Sequence, residues 1–148
     1  LQEKNPAAKK LIMPKASVKE RIVSSIKASS SAVFLRKEFD KFGDYRQVSR
    51  AIKSITKSGG LVRVGYGMYA RARESTINGQ PVPTETLLTI GLEVMKKIGV
   101  SADVGKDMRA LREGKSTQVP MAAIICIGKA RVQRKIFLGK RQVVYEKG

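Results

Sequence analysis

Histidine and tryptophan are missing from these 148 residues, and cysteine occurs once. The first absence removes the commonest general base and the commonest metal ligand. A single cysteine excludes a zinc ribbon, a Cys₂His₂ finger and an internal disulfide. Cys126 sits in an apolar run with no cation close by, so it reads as a small core residue, not a reactive thiol. No run approaches the roughly 18–20 apolar residues a membrane span requires. The longest, Val119–Gly128 (VPMAAIICIG), has the length of a buried strand. No positive-then-apolar leader opens the chain, which leads us to expect a cytoplasmic protein without membrane attachment.

Short catalytic patterns occur but lack their partners. Ser24 to Lys27 (SSIK) and Ser54 to Lys57 (SITK) spell S-x-x-K without an S-D-N or K-T-G elsewhere. Val64 to Gly67 (VGYG) matches part of a potassium-filter sequence with no span around it. The same Gly-x-Gly lacks the third glycine and the following helix of a dinucleotide loop. The expectation is a protein that is not an enzyme and needs no cofactor and no metal.

Acidic residues are also scarce, and here the imbalance is informative. Thirty Lys and Arg stand against twelve Asp and Glu, a net charge of +18. Such a field says nothing about fold but favours polyanionic partners. Hydrophobic residues make up 42% of the chain, enough for one modest domain or two small ones. Residues 1–73 hold 17 basic and five acidic residues, net +12; residues 74–148 hold 13 and seven, net +6. Two thirds of the excess therefore lies in the first half.

Residues 1–16, with two prolines and four lysines, read as a basic flexible arm. Ser17 and Glu20 form a capping box for a helix that buries Val18, Ile22, Val23 and Ile26. Ala32–Leu35 is strand-like, and Arg36–Phe42 suits a second brief helix with Gly43 at its end. Asp44 is placed to cap a third helix, Tyr45 to about Lys57, whose inward stripe is Val48, Ala51, Ile52 and Ile55. Its other side offers Tyr45, Arg46, Gln47, Ser49, Arg50 and Lys53, donor-rich types that read base edges and hold phosphates. No acidic residue occurs between Tyr45 and Ser58, so ion pairing within the helix does not explain the cations.

A hairpin follows directly. Leu61–Val64 and Met68–Arg71 are the two strands, with Gly65 and Gly67 expected to supply positive φ and Tyr66 at the tip. Strand alternation puts Tyr69, Arg71 and Arg73 on one face, a phosphate-binding rim in which Tyr69 is more a packing residue. Helix, strand, helix, helix and hairpin is the element order of a winged helix-turn-helix, whose third helix enters the major groove while the hairpin lies over the neighbouring backbone or minor groove. The candidate DNA-binding residues are Tyr45, Arg46, Gln47, Ser49, Arg50, Lys53, Arg63, Tyr66, Arg71 and Arg73.

Residues 74–83 (ESTINGQPVP) read as a linker to a second domain over 84–148. Its first helix, from Thr84 and Glu85 through Ile98, is apolar over more than half its girth. Such a helix must be covered within the domain or by a second copy of the chain, so a homodimer is one expectation. Ala102–Arg112 suggests a charged helix. Val119–Ile127, Ala130–Leu138 and Lys140–Lys147 suggest an antiparallel meander. Arg131, Gln133 and Lys135 then lie on one side of the middle strand, opposite Val132, Arg134 and Ile136.

The run RQVSRAIKSITKSGGLVRVGYGMYARA, followed by GQPVP, GKSTQVPMA and RVQRKIFLGKRQVVYE, resembles a bacterial winged-helix family related to AbiEi-type antitoxins of type IV toxin–antitoxin systems. The resemblance covers most of the chain from Ser17 onward. It implies an N-terminal domain that binds promoter or operator DNA and represses its own operon, and a C-terminal domain that neutralises a nucleotidyltransferase-like toxin. It places Gln47, Arg50 and Lys53 on the recognition helix and Arg63, Gly65, Gly67 and Tyr69 on the wing. This chain is shorter than the full antitoxin, so its second domain corresponds to a reduced version.

The combined expectation is an α+β chain: an N-terminal winged helix-turn-helix over 17–73, then a small C-terminal α/β domain with an antiparallel sheet. Its function would be sequence-specific binding of double-stranded DNA. The same charge also suits an RNA- or ribosome-associated protein, or a basic adaptor that meets an acidic protein partner.

Overall fold

The structure is a computed structural model that describes residues 16–117 and 122–148. The arm expected over 1–16 and the first residues of the strand expected from Val119 lie outside the described residues, Ala16 excepted.

Helix α1 (Val18–Ala28) begins at the capping box read from the sequence. The Glu20 amide donates to Ser17 Oγ at 3.1 Å, and the Ser17 amide donates to Glu20 Oε1 at 3.0 Å. Strand β1 (Val33–Leu35) follows, then a 3₁₀ helix over Arg36–Phe42. Helix α2 (Tyr45–Lys57) carries a second reciprocal cap between Asp44 and Gln47, and buries Val48, Ala51, Ile52 and Ile55 as its periodicity requires. Strands β2 (Leu61–Gly65) and β3 (Met68–Glu74) form the hairpin.

Strand β3 is the centre of the first sheet, in the order β1-β3-β2 with antiparallel pairing throughout. All three residues of β1 are buried, because the sheet is covered on both faces. On one face, Phe34 and Leu61 join Ile22, Ile26, Phe39 and the inward stripe of α2. On the other, Val33, Leu35, Val64, Met68 and Ala70 pack into a second core.

That second core is supplied by the C-terminal half. Helix α3 (Leu87–Lys97), capped by Thr86, sets Leu87, Ile90, Val94 and Met95 against it, each 2% exposed or less. The apolar helix thus finds its cover inside the same chain, and no second copy is needed to bury it. Residues 74–83, expected as a linker, are largely a hairpin: β4 (Pro81–Pro83) pairs with Ala72–Glu74 at the far end of β3. Two contacts clamp α3 to the first half. Glu93 accepts from the Ala32 amide at 2.8 Å, and Lys97 reaches Glu38 at 2.8 Å.

The end of the chain departs from the expected meander. Strands β5 (Asp103–Val104), β6 (Ile124–Gly128) and β9 (Val144–Lys147) form a sheet in which β5 and β6 are antiparallel but β6 and β9 are parallel. A parallel pair needs a crossover rather than a tight turn. The crossover is residues 129–143, which hold only a small hairpin of β7 (Phe137–Leu138) and β8 (Arg141–Gln142). Of the expected strand Ala130–Leu138, only the last two residues are strand. Of the charged helix expected from Ala102, only Lys106–Arg112 is helical, as α4, because Asp103 and Val104 are drawn into pairing with β6. The chain is α+β, with mostly antiparallel pairing.

Candidate nucleic-acid interface

Helix α2 separates its two sides completely. Arg46, Arg50, Lys53 and Lys57 follow one another at steps of four, three and four residues, so they form a single stripe opposite the buried one. All four are exposed. Among the described residues none of them has an ion-pair partner. Repulsion along the stripe costs some helix stability, which the two-ended cap at Asp44 and the buried stripe offset.

Beside this stripe runs an open groove of about 520 Å³ between α2 and the hairpin. Tyr45, Ser49, Lys53 and Lys57 line the helix side, and Arg63 and Tyr69 the strand side. Arg36 joins them: its guanidinium lies 4.1 Å from the centre of the Tyr45 ring and donates to the Tyr45 carbonyl at 3.0 Å. The Arg36 amide also donates to the Gly67 carbonyl at 2.8 Å, which ties the hairpin turn to the start of the 3₁₀ helix. Among the described residues no carboxylate lines this groove.

The hairpin is built differently from its sequence reading. Gly67 has a φ of +67°, as a tight turn demands, but Gly65 does not take positive φ. A register shift between Arg63 and Gly65 bulges the strand there. Gly65 is glycine for want of space: a Cβ would collide with Met68 Cε and stand 2.6 Å from the Lys135 carbonyl oxygen. Tyr66 at the tip is 84% exposed, and Tyr69 packs on the α1–α2 core as expected.

The structure brings Tyr45, Ser49, Lys53 and Arg63 around one groove, and leaves Arg46 and Arg50 exposed on the helix beside them. Two candidates have other work. Arg71 turns inward, where its guanidinium donates to the carbonyls of Ile26 at 2.9 Å, Ser29 at 2.6 Å and Ser31 at 3.0 Å, and lies over Phe34. The last carbonyls of a helix lack intrahelical donors and carry partial negative charge, so an arginine placed there caps the helix end. Gln47 spends its carboxamide oxygen on the Asp44 amide at 3.0 Å. Arg73 is exposed, further along β3 towards β4.

Sequence reasoning missed Arg36 and Lys57. Lys57 was legible as the next step of the Arg46–Arg50–Lys53 series. Arg36 was not, because its position depends on how the 3₁₀ helix meets α2. Among the described residues no cluster of three His, Cys, Asp or Glu is placed to hold a metal ion, and no helix is long and apolar enough to cross a membrane.

The model of one protein family matches residues 18–148, from the first turn of α1 to the C-terminus. The chain belongs to DUF6088, a family of unknown function. No curated protein and no solved structure matches it. The DUF6088 match takes in α2, the hairpin and the whole second core, so the groove and the elements behind it fall within one family unit.

Proposed function

We propose that this DUF6088 chain is a sequence-specific binder of double-stranded DNA, with residues 17–73 acting as a winged helix-turn-helix. The observation that carries the reading is the stripe Arg46, Arg50, Lys53 and Lys57, without an ion-pair partner or a groove-lining carboxylate among the described residues, set beside a groove shared with Arg63 of the hairpin. A helix of this kind presents side chains to base edges in the major groove, while the adjoining hairpin neutralises backbone phosphate. With no acidic residue from Tyr45 to Ser58, the stripe itself presents only cations and neutral donors to a polyanion.

The resemblance to AbiEi-type antitoxins extends this to a repressor of its own promoter, with a nucleotidyltransferase-like toxin as protein partner. Co-purification of such a partner after nuclease treatment is the measurement that supports the extension.

The test of the core reading is selection of a preferred duplex from a random pool, followed by titration of wild type and Arg50→Ala. If Arg50 contacts a base, the variant loses about 1–3 kcal/mol on the selected site and less on a random duplex. Equal losses would assign Arg50 to a phosphate. A wild-type chain that prefers folded RNA to every duplex at matched salt would overturn the DNA reading.

A further inference from the structure

A second groove, of about 610 Å³, opens on the other side of the hairpin. Arg63 and Tyr66 line it from the hairpin, and Gln133, Arg134 and Lys135 from the chain that crosses over to β9. Arg63 lines both grooves, so the two are joined through one guanidinium. Among the described residues no carboxylate lines either of them.

The crossing segment belongs to no regular strand over residues 131–136, yet it is tethered along its length. Lys147 Nζ donates to the Ala130 carbonyl at 2.8 Å, and the Tyr145 hydroxyl donates to the Arg134 carbonyl at 2.6 Å. Ile136 is fully buried, and the Val143 amide donates to its carbonyl at 2.9 Å. Beside it, the Lys135 carbonyl rests against Gly65 of the hairpin, so close that any side chain there would collide. All these restraints act on backbone or on Ile136. They leave the Arg131, Gln133, Arg134 and Lys135 side chains exposed, and among the described residues the three cations have no ion-pair partner. A segment held this way binds a phosphate without the cost of first ordering its backbone.

We infer that the Arg131–Lys135 segment is a second nucleic-acid contact. It grips the sugar–phosphate backbone of the duplex on the hairpin's far side, so that the hairpin is flanked by two cationic edges with Arg63 between them. This rests on the DNA reading above and adds a contact from the C-terminal half, outside the helix-and-wing unit. The side chains reach phosphate, not base edges, so the contact contributes affinity and footprint but not sequence preference.

The test uses the full chain with Arg134→Gln and Lys135→Gln together, substitutions that remove charge and leave a polar, uncharged side chain at each position. Binding to the selected duplex and to a random one is followed by anisotropy between 50 and 200 mM salt, with hydroxyl-radical footprinting of the complex. The double variant is expected to weaken both duplexes by the same factor. The slope of log affinity against log salt should fall by about two, so that the loss of affinity across that salt range shrinks about tenfold. Protection should disappear on one flank of the site while the centre is retained, with an unchanged melting temperature. Unchanged slope and footprint in the double variant, with wild type bound to the duplex, would overturn this inference and leave the α2 reading standing. A wild-type chain that fails to bind duplex at 50 mM salt would overturn both.

Discussion

Arg63 and Arg71 lie on the two strands of one hairpin and illustrate how little an arginine's position in sequence says about its use. Arg71 satisfies carbonyls at the end of α1 and in the segment just after it, whereas among the described residues Arg63 makes one bond, from Nε to the Gly65 carbonyl at 3.2 Å. Arg71→Ala is therefore expected to destabilise the fold by about 2–3 kcal/mol, since partly buried carbonyls lose a charged donor. Arg63→Ala is expected to leave the melting temperature within a degree or two and to weaken duplex binding. Thermal melts of the two variants beside their binding isotherms check both. A methyl group at residue 65 is a third case. Gly65→Ala would force the Lys135 carbonyl away from the hairpin, an overpacking expected to cost about 1–3 kcal/mol in a denaturant titration. Alternation along β3 showed that Tyr69, Arg71 and Arg73 share a face. Alternation does not show which face meets α1, and the inward turn of Arg71 onto α1 depends on that packing.

Helices α1 and α2 were the most legible elements, because caps and periodicity are local chemistry. Ser17 with Glu20, Asp44 as a cap, and the stripe Val48, Ala51, Ile52 and Ile55 appear in the structure as the sequence implies, while the part of Gln47 in the second cap was not read from the sequence. The cap on α1 has a pH signature. The Ser17 backbone amide, and then its hydroxyl, hold the Glu20 carboxyl below its ordinary value of 4.5. A lowered folded value means that the unfolded chain takes up its proton first. The cap's contribution is thus whole above that ordinary value and disappears as pH falls through the lowered one. Asp103 behaves alike, held down first by the Val104 amide and further by Arg109. Melting temperature is expected to fall on acidification below about pH 5, and to fall less steeply in Glu20→Gln. At the cap of α2, Asp44→Ala is expected to cost about 1 kcal/mol and to loosen the start of the cationic stripe. Hydrogen exchange at the Gln47 amide, bonded to Asp44 at 2.8 Å, reports it directly. The β elements near the C-terminus were less legible. The strand expected over Lys140–Lys147 is divided in the structure into Arg141–Gln142 and Val144–Lys147. That Val144–Lys147 runs parallel to Ile124–Gly128 depends on a crossover whose path is decided by the burial of Ile136 and Val143.

At the scale of the molecule, the first sheet is a wall common to two cores. Its second face offers Val33, Leu35, Val64 and Met68, each 3% exposed or less. Burying such side chains stabilises by about 1.5–3 kcal/mol apiece, so the face contributes on the order of 6–12 kcal/mol. That matches the whole net stability of an ordinary domain, about 5–15 kcal/mol. The boundary expected near residue 74 came from prolines and Asn-Gly, which mark a turn equally well. Those signals cannot tell a hairpin that stays in the sheet from a tether that leaves it. The 148-residue chain is expected to unfold in one calorimetric transition. A fragment ending at Pro83 should melt without cooperativity and bind a hydrophobic dye. A sharp melt from that fragment would show that the second core is dispensable to the first.

The common wall also bears on inheritance. A recombination event that joined the front segment to a foreign coding region would export a half-wetted surface along with it. Such a hybrid would be cleared by proteases before its binding properties were ever tried. Substitutions lining the shared partition in one half are therefore expected to need compensating changes in the other.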